Sequence, residues 1–376
     1  MESFLNFTWY NIIVFLIVFS IVVFVHEWGH FWVARRNKVR VEVFSIGFGP
    51  EVFGWTDSLN TRWKLSAIPL GGYVKMFGER SDNDSPDQPP EEETPPEEKA
   101  VSFQYKTVGQ RSAIVAAGPI VNLLFAVVLM GGIAMFVGVP NFMVGVGAVL
   151  ENSAAQKAGL KEGDIILSIA EKEIKNPQDV KDIVTRNPGV SMLAVIERNG
   201  SILKKSVRPD LYIADERNVG RLGIHMQAVN VSYERRGPIG AIWYGTQYTV
   251  NMITRIFDYL GDLVLGRRDA NELGGPLGIA QITGQAAKQG LLEVIVLTAA
   301  LSINLGLLNL FPIPILDGGH LLFFASEAVL GRPLGPQAQE YGLRVGLIMV
   351  LILMVFATWQ DINRIGIVDY FENLLS

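Results

Sequence analysis

An apolar run from Ile12 to Val25 ends directly in the motif His26-Glu27-Trp28-Gly29-His30. Two imidazoles four residues apart share one helical face and lie roughly 6 Å apart along its axis. A tetrahedral zinc ion can bridge such a pair, and the glutamate beside the first histidine is placed to act as a general base. Ionisable groups at the centre of a bilayer cost about 2.5–3.5 kcal/mol each on insertion scales. A cluster of them in an apolar helix therefore predicts a functional site, and a hydrolytic metal is the favoured interpretation.

Composition places the chain among membrane proteins. Of its 376 residues, 49% are hydrophobic and 18% are charged, against about 25% charged in soluble domains. The apolar composition makes the lipid bilayer the expected partner. Nucleic acid is not expected, because the sequence contains no basic domain. It has no cysteine, so any zinc ion must be held by histidine and carboxylate ligands. There are four histidines, at positions 26, 30, 225 and 320, and His225 is expected to be structural or merely exposed.

Four apolar segments predict four transmembrane helices in an α-helical fold. Basic residues flank the cytoplasmic ends, which predicts that both termini lie outside the cytoplasm. The first segment is interpreted as a retained span because no Lys or Arg precedes it. Charges interrupt Trp243–Leu265, which predicts an interfacial helix. The predicted divisions are a first span 1–38, a membrane-associated β region 39–80, an acidic Pro-rich disordered linker 81–105, a second span 106–139, a soluble domain 140–210, an amphipathic region 211–290, a third span 291–330, and a fourth span with the C-terminus 331–376.

Two segments between the spans carry recognisable patterns. Residues 39–80 predict short strands, which form either a small surface sheet or a hairpin that dips toward the metal and offers an edge to an extended peptide. In the soluble segment, Ala158-Gly159-Leu160 followed by Gly163-Asp164-Ile165-Ile166 resembles a PDZ domain, present in one copy. That resemblance implies an α/β module that binds extended chain ends by strand addition. Alternation of the spans predicts that it lies opposite the cytoplasm.

The third zinc ligand is expected near the end of the third span, where Asp317 and His320 are the candidates. Two prolines break the helix there, and Gly318-Gly319 permits a close approach of the chain, as suits a buried turn that presents a side chain to a metal. Asp317 is the preferred ligand. Its alternative role is to cap the following helix. His320, if it is not the ligand, is expected to orient a neighbouring ligand.

Two asparagines in the spans have more than one interpretation. Asn309 is either a hydrogen-bond donor for a developing oxyanion or a partner of another helix. Asn122 either bonds a neighbouring helix or lines the site, and helix packing is the favoured interpretation.

Taken together, the segments His26–His30, Pro69–Met76, Ala117–Pro119 with Asn122, and Asn309–His320 resemble the site-2 protease family. The resemblance implies an intramembrane zinc endopeptidase of the bacterial inner (cytoplasmic) membrane that acts in regulated intramembrane proteolysis. It implies substrates that are single-span membrane proteins, such as anti-sigma factors or remnant signal peptides. By motif position, His26, His30 and Asp317 are metal ligands, Glu27 is the catalytic acid and base, and Asn309 handles the substrate or transition state. The resemblance further implies a hairpin at 39–73 that holds unwound substrate, a periplasmic PDZ gate, and an active site toward the cytoplasmic side.

Two other classes of function compete with this interpretation. A membrane scaffold with a structural metal site would need no general base, so Glu27 argues against it. A metal transporter would need further ligands along a path, whereas the apolar regions contain three histidines.

Overall fold

The computed structural model describes residues 9–79, 95–214, 217–267 and 274–365. It divides into unit 1, Met1–Gly132 with Gly240–Ser376, and unit 2, Ile133–Ile239. The elements in chain order are α1 Trp9–Arg36, β1 Val41–Thr56, β2 Arg62–Met76, α2 Pro96–Val101, α3 Val108–Gly132, β3 Val139–Val149, α4 Ala154–Lys157, β4 Ile165–Ile169, β5 Lys172–Glu173, α5 Pro177–Arg186, β6 Met192–Arg198, β7 Ser201–Val207, β8 Asp210–Ala214, β9 Arg217–Arg221, β10 Ile224–Glu234, α6 Pro238–Val264, α7 Pro276–Gln289, α8 Leu291–Asn309, α9 Asp317–Leu330 and α10 Pro336–Ile365.

Four helices in the described part of the chain are long and apolar enough to cross a membrane, in agreement with the predicted number. They are Trp9–Arg36, Val108–Val137, Leu291–Asn309 and Gln337–Asn363. The second of them consists of α3 and the π-helical turn Ile133–Val137 that continues it. The segment predicted to be interfacial forms helix α6, which buries the small residues Ala241, Gly245 and Thr249. The acidic stretch 81–94 of the predicted linker lies outside the described residues, but Pro96–Val101, which that prediction also included, is helical. The prediction of a disordered linker is therefore wrong for Pro96–Val101. The reason is local, since Pro96 supplies the fixed φ that favours a first helical turn.

Strands β1 and β2 bend and pair with each other twice, so that two strands build a small mixed sheet. Val41–Ile46 pairs antiparallel with Gly72–Met76. Val43–Ile46 also pairs with Arg62–Leu65, and there the residue numbers increase in the same direction along both segments, as in a parallel pair. Glu51–Thr56 covers the other side of Arg62–Ser66. Gly72–Met76 is therefore an edge segment of this sheet. The indole of Trp63 stacks on the Phe44 ring at 4.5 Å between centroids and packs the sheet against α1.

Asp57 ties the end of α1 to the tip of this sheet. Its carboxylate accepts hydrogen bonds from Arg35 at 2.5 Å, from the Trp63 indole at 3.0 Å, and from the backbone N–H groups of Leu59 and Thr61. Desolvation by itself raises the pKa of Asp57, but these four bonds outweigh it and lower the pKa to about 2. The carboxylate therefore remains charged and holds the sheet beside α1 at neutral pH.

Helix α7 lies in the predicted amphipathic region 211–290 and was not predicted as a separate helix. Its N-terminus is held by Asp361 of α10, whose buried carboxylate accepts the N–H groups of Gly275 and Gly278, both at 2.9 Å. A carboxylate at a helix N-terminus satisfies N–H groups that have no partner within the helix and interacts favourably with the helix dipole. Its partner comes from the far end of the chain, so local sequence does not reveal it.

Unit 2 is built on an antiparallel sheet in the order β10-β3-β4-β6-β7, with β5 beside β4. Helix α5 begins with a capping box in which Asn176 and Asp179 satisfy each other's backbone N–H groups. The unit extends to Ile239, beyond the predicted boundary at residue 210, because β10 pairs with β3 and completes the sheet. His225 lies exposed on β10, opposite Ala148.

A buried ion pair in unit 2 joins Asp164, directly before β4, to Arg198 at the end of β6. The Asp164 side chain is 0% exposed, and its two oxygens accept bonds from Arg198 at 2.6 and 2.7 Å. The backbone N–H of Lys161 donates a third bond at 2.8 Å. Burial alone raises the pKa of Asp164, but the bonds from Arg198 and Lys161 hold it below its usual range.

We expect Arg198→Met to loosen strands β4 and β6, because it leaves the Asp164 carboxylate buried without its partner. A carboxyl group whose pKa is lower in the folded than in the unfolded state stabilises the fold fully above its unfolded pKa of about 4. That contribution is lost as the pH falls through the folded pKa, so the variant should show less acid dependence than the unsubstituted protein. Backbone hydrogen exchange over residues 165–198, corrected for intrinsic rates, measures both effects.

The matched control is Lys157→Met, which removes the exposed ion pair of Lys157 with Asp210. Exposed pairs contribute little, so the control should exchange like the unsubstituted protein. Equal protection in the Arg198 and Lys157 variants would contradict the assigned role of the Asp164 pair.

Candidate metal centre

Helix α1 places His26 and His30 one turn apart, with both side chains buried inside unit 1. Their Nε2 atoms lie 3.2 Å apart, and the two rings meet edge to face at 4.8 Å between centroids. The spacing of four residues places both rings on one face of the helix, as the sequence predicts. Both Nε2 atoms therefore point to one small volume.

Asp317 reaches the same volume from the first turn of α9. Its Oδ2 lies 3.2 Å from His26 Nε2 and 3.5 Å from His30 Nε2. Leu316 is the N-cap of α9 and makes no side-chain capping bond. Asp317 is the first residue of the helix, and its Oδ2 faces the two imidazoles.

A tight turn between α8 and α9 brings Asp317 to the histidines. A Cβ added to Gly318 would overlap the carbonyl oxygens of Leu310 and Phe311, and one added to Gly319 would overlap Pro314 and the Ile313 carbonyl. Only residues without a side chain fit this close approach. The glycine pair thus allows the chain to fold back directly after the proline-broken helix.

Two further glycines bring α3 against α1. A Cβ on Gly29 would lie 2.5 Å from the Ala117 carbonyl oxygen, and one on Gly118 would overlap the His30 ring. Because the helices approach so closely, the carbonyl oxygen of Ile114 lies 2.9 Å from His30 Nδ1 and accepts its N–H. That bond leaves Nε2 of a neutral His30 as an unprotonated ligand atom.

The three side chains fit a tetrahedral zinc ion. Bonds of about 2.0–2.2 Å in tetrahedral geometry separate neighbouring ligand atoms by about 3.3–3.6 Å. The distances between the ligand atoms are 3.2, 3.2 and 3.5 Å. Asp317 Oδ2 is buried and forms no hydrogen bond in the described structure, although two ring nitrogens face it. A cation between these atoms would satisfy that oxygen, and His26, His30 and Asp317 form a group able to hold one.

The other residues predicted for the site lie around His26. Asn309, the last residue of α8, places Nδ2 3.5 Å from His26 Nε2. Asn122 is fully buried, with Nδ2 3.3 Å from His26 Nδ1. The sequence left Asn122 either bonding a neighbouring helix or lining the site, and its carboxamide does both, since it lies against the candidate ligand His26 of α1. His320 lies on α9, with its ring 6.2 Å from that of Phe323, and it is not in the three-residue group.

Glu27 is half-buried and lies beside the β sheet of unit 1. A Cβ added to Gly72 would lie 3.1 Å from Glu27 Cγ and 2.9 Å from a Val23 methyl group. The edge segment Gly72–Met76 therefore begins next to the side chain of the residue predicted to act as the base. Sequence reasoning assigned no role to Gly72 or Gly118, and the Gly71-Gly72 pair was the available signal for a close approach of the backbone.

Comparison with known proteins decides the family. Residues 14–353 match the family model described as "Peptidase family M50". The chain belongs to peptidase family M50. This M50 member is 43% identical over 361 residues to a Rhizobium meliloti protein named "Putative zinc metalloprotease", with 94% of this chain and 96% of the relative covered. It is 35% identical to "Metalloprotease MmpA" of Caulobacter vibrioides, with coverages of 96% and 97%. It is 30% identical to "Regulator of sigma E protease" of Salmonella typhi, with coverages of 95% and 99%.

Among solved structures, the PDZ domain of an SdrC-like protein from Listeria monocytogenes matches with a TM-score of 0.20 and 20% identity. The match covers 22% of this chain and 86% of that domain, and so low a TM-score supports no conclusion about unit 2. The family and the names of the relatives support a membrane-spanning zinc metalloprotease for this M50 chain.

Proposed function

We propose that the chain is an intramembrane zinc endopeptidase that cuts transmembrane segments of single-span membrane proteins. The observation that carries this proposal is the group formed by His26, His30 and Asp317, whose ligand atoms have the spacing of a tetrahedral metal site. Two of these residues belong to a helix able to cross a membrane, and the third follows another such helix. A hydrolytic metal is a sufficient reason for such groups to lie in so apolar a region.

His26, His30 and Asp317 would hold the zinc ion through three ligand atoms, the number typical of hydrolytic zinc sites. When bound, zinc supplies Lewis acidity, which lowers the pKa of water from about 15.7 to about 7 and polarises a carbonyl group. Glu27 follows the first ligand on α1 and would accept a proton from the attacking water on a carboxylate oxygen. It would then deliver that proton to the nitrogen of the leaving amine.

Asn309 is proposed to hold the reacting peptide group. Its carboxamide lies 3.5 Å from His26 Nε2, which places a donor beside the ligand cluster. A donor at this position can bond a substrate carbonyl oxygen as negative charge develops on it.

The sheet of unit 1 is proposed to bind the substrate in an extended form. A helix pairs its own backbone groups, so a transmembrane segment must unwind before its peptide bond can enter the site. Gly72–Met76 pairs with Val41–Ile46 on one side, and no strand covers its other side in the described structure. Its start lies against Glu27. An unwound segment that added to this edge would therefore run beside the proposed base.

The family resemblance and the charge pattern support a proposal for the cellular setting. We propose a multi-pass protein of the bacterial inner membrane, with both termini outside the cytoplasm and the active site toward the cytoplasmic side. Unit 2 is proposed to be a periplasmic PDZ module that excludes untrimmed substrates. Anti-sigma factors and remnant signal peptides are the proposed substrate classes, and the relative named "Regulator of sigma E protease" supports the first of them.

Metal removal tests the proposal. The full-length protein, reconstituted with a fluorescently tagged single-span substrate, is expected to lose cleavage in ortho-phenanthroline and to regain it when zinc is added. The meta isomer, which does not chelate, is the control and should have no effect. Mass spectrometry of the fragments should place the cut inside the apolar segment. Cleavage that persists in the chelator, or a cut confined to the soluble part of the substrate, would overturn the proposal.

A further inference from the structure

Asn122 lies deep in α3 with a side chain that the proposed mechanism does not use. The residue is 0% exposed, and its Nδ2 lies 3.3 Å from His26 Nδ1. Its Oδ1 is buried and has no hydrogen-bond partner in the described structure. A carboxamide in an apolar helix needs partners for its polar atoms, so this placement calls for a specific reason.

The two ends of a carboxamide are interchangeable by a half-turn of the amide group, and the partner decides which end faces it. With Nδ2 donating to Nδ1, a neutral His26 would carry its own proton on Nε2. Nε2 is the atom that faces His30 and Asp317, and a protonated nitrogen cannot bind a metal. With Oδ1 turned toward His26, Nδ1–H donates to the carboxamide and Nε2 keeps its lone pair.

His30 already shows the equivalent arrangement. Its Nδ1 lies 2.9 Å from the carbonyl oxygen of Ile114, which can only accept, so the proton of a neutral His30 lies on Nδ1. Ile114 and Asn122 both belong to α3, and they are eight residues apart, which is about two helical turns. Helix α3 thus faces both histidines with an acceptor if Asn122 presents Oδ1.

A hydrogen bond from α8 holds the α3 backbone in place at Asn122. Ser302 of α8 is buried, and its Oγ donates to the backbone carbonyl of Asn122 at 2.8 Å. This bond fixes the backbone that carries the carboxamide without touching either histidine. The carboxamide therefore has a defined position relative to His26.

We propose that Asn122 is a positioning residue that accepts the Nδ1–H of His26 through Oδ1 and so presents Nε2 to the zinc ion. The inference rests on the proposed function, because it assumes that His26 is a zinc ligand. It assigns to Asn122 a role in metal affinity that is separate from the proton transfer of Glu27.

Zinc affinity of the full-length protein, measured in detergent by competition with a chelating indicator, tests this role. Asn122→Leu removes the acceptor at similar volume and is expected to weaken zinc binding by about 10–100-fold. Asn122→Asp keeps an acceptor and is expected to bind zinc at least as tightly as the unsubstituted protein. Thr298→Ala is the control, since it removes a buried hydroxyl of α8 that bonds the Val294 carbonyl of its own helix, and its affinity should be unchanged.

The outcomes distinguish a failure of the proposed function from a failure of the positioning role. If the unsubstituted protein binds no zinc, the proposed function fails. If it binds zinc and Asn122→Leu binds it equally well, or Asn122→Asp binds it as weakly as Asn122→Leu, the positioning role is overturned. Should the leucine variant not fold, by circular dichroism and gel filtration, the aspartate variant decides: retained affinity supports the role and lost affinity overturns it.

Discussion

The Glu27→Gln variant should bind zinc as tightly as the unsubstituted protein and cleave a single-span substrate about 10²–10⁴-fold more slowly. Glutamine preserves the size of the side chain but cannot accept the proton of the attacking water. Glu27 is not one of the three groups that can hold the ion, so the metal should remain. Single-turnover cleavage in proteoliposomes and zinc content per chain are the two measurements.

Glu51→Gln provides a matched control for this variant. Glu51 lies on the same sheet, where its carboxylate pairs with Arg62, and it belongs neither to the edge segment Gly72–Met76 nor to the group of three candidate ligands. Its substitution should leave both cleavage and zinc content unchanged. Full activity of the Glu27 variant would rule out the proposed proton transfer, whereas loss of its zinc would show that Glu27 supports the metal.

Asp317→Asn should lower zinc affinity by more than the about 10–100-fold that loss of an orienting partner costs. The substitution removes the negative charge that offsets the ion in a site of low dielectric, although the amide has nearly the same shape as the carboxylate. Cleavage at limiting zinc should fall with the metal content. Competition titration with a chelating indicator and elemental analysis of the purified protein measure these changes.

His320→Gln is the control, because His320 was the other candidate for the third ligand. It lies three residues after Asp317 on α9 but outside the group of three ligand atoms. Its substitution should leave zinc affinity within a few-fold of the unsubstituted value. If His320→Gln lost the metal and Asp317→Asn retained it, the ligand set would have to be reassigned.

Features of unit 1 and unit 2 that depend on neighbours along the chain could be predicted from sequence. The spacing of His26 and His30 determines that their rings share a helical face. The segment Pro177-Gln178-Asp179-Val180 predicts the start of a helix, and α5 begins at Pro177 with a capping box that Asn176 and Asp179 form. Hydropathy predicts four long apolar helices, and the structure contains four in the described residues.

Features that depend on which distant segments meet could not be predicted in this way. Strands β3 and β10 are the first and last strands of unit 2 along the chain, and they pair with each other. The predicted boundary at residue 210 therefore omitted a strand of the sheet. Residues Val43–Ile46 pair on both sides, which no alternation of side chains reveals. An asparagine such as Asn122 has the same local pattern whether it faces lipid, another helix or His26.

Residue order alone establishes that a histidine pair and a glutamate lie in an apolar helix, and that a proline-glycine turn carries an aspartate. These properties follow from helix periodicity and from the steric limits of proline and glycine, which act over a few residues. The three-dimensional fold was needed to show that Asp317 lies within 3.5 Å of both imidazoles and that Asn122 faces His26. The close approach of the helices at Gly29 and Gly118 brings α3 to the histidines. Such an approach depends on the packing of whole helices, which local sequence does not specify.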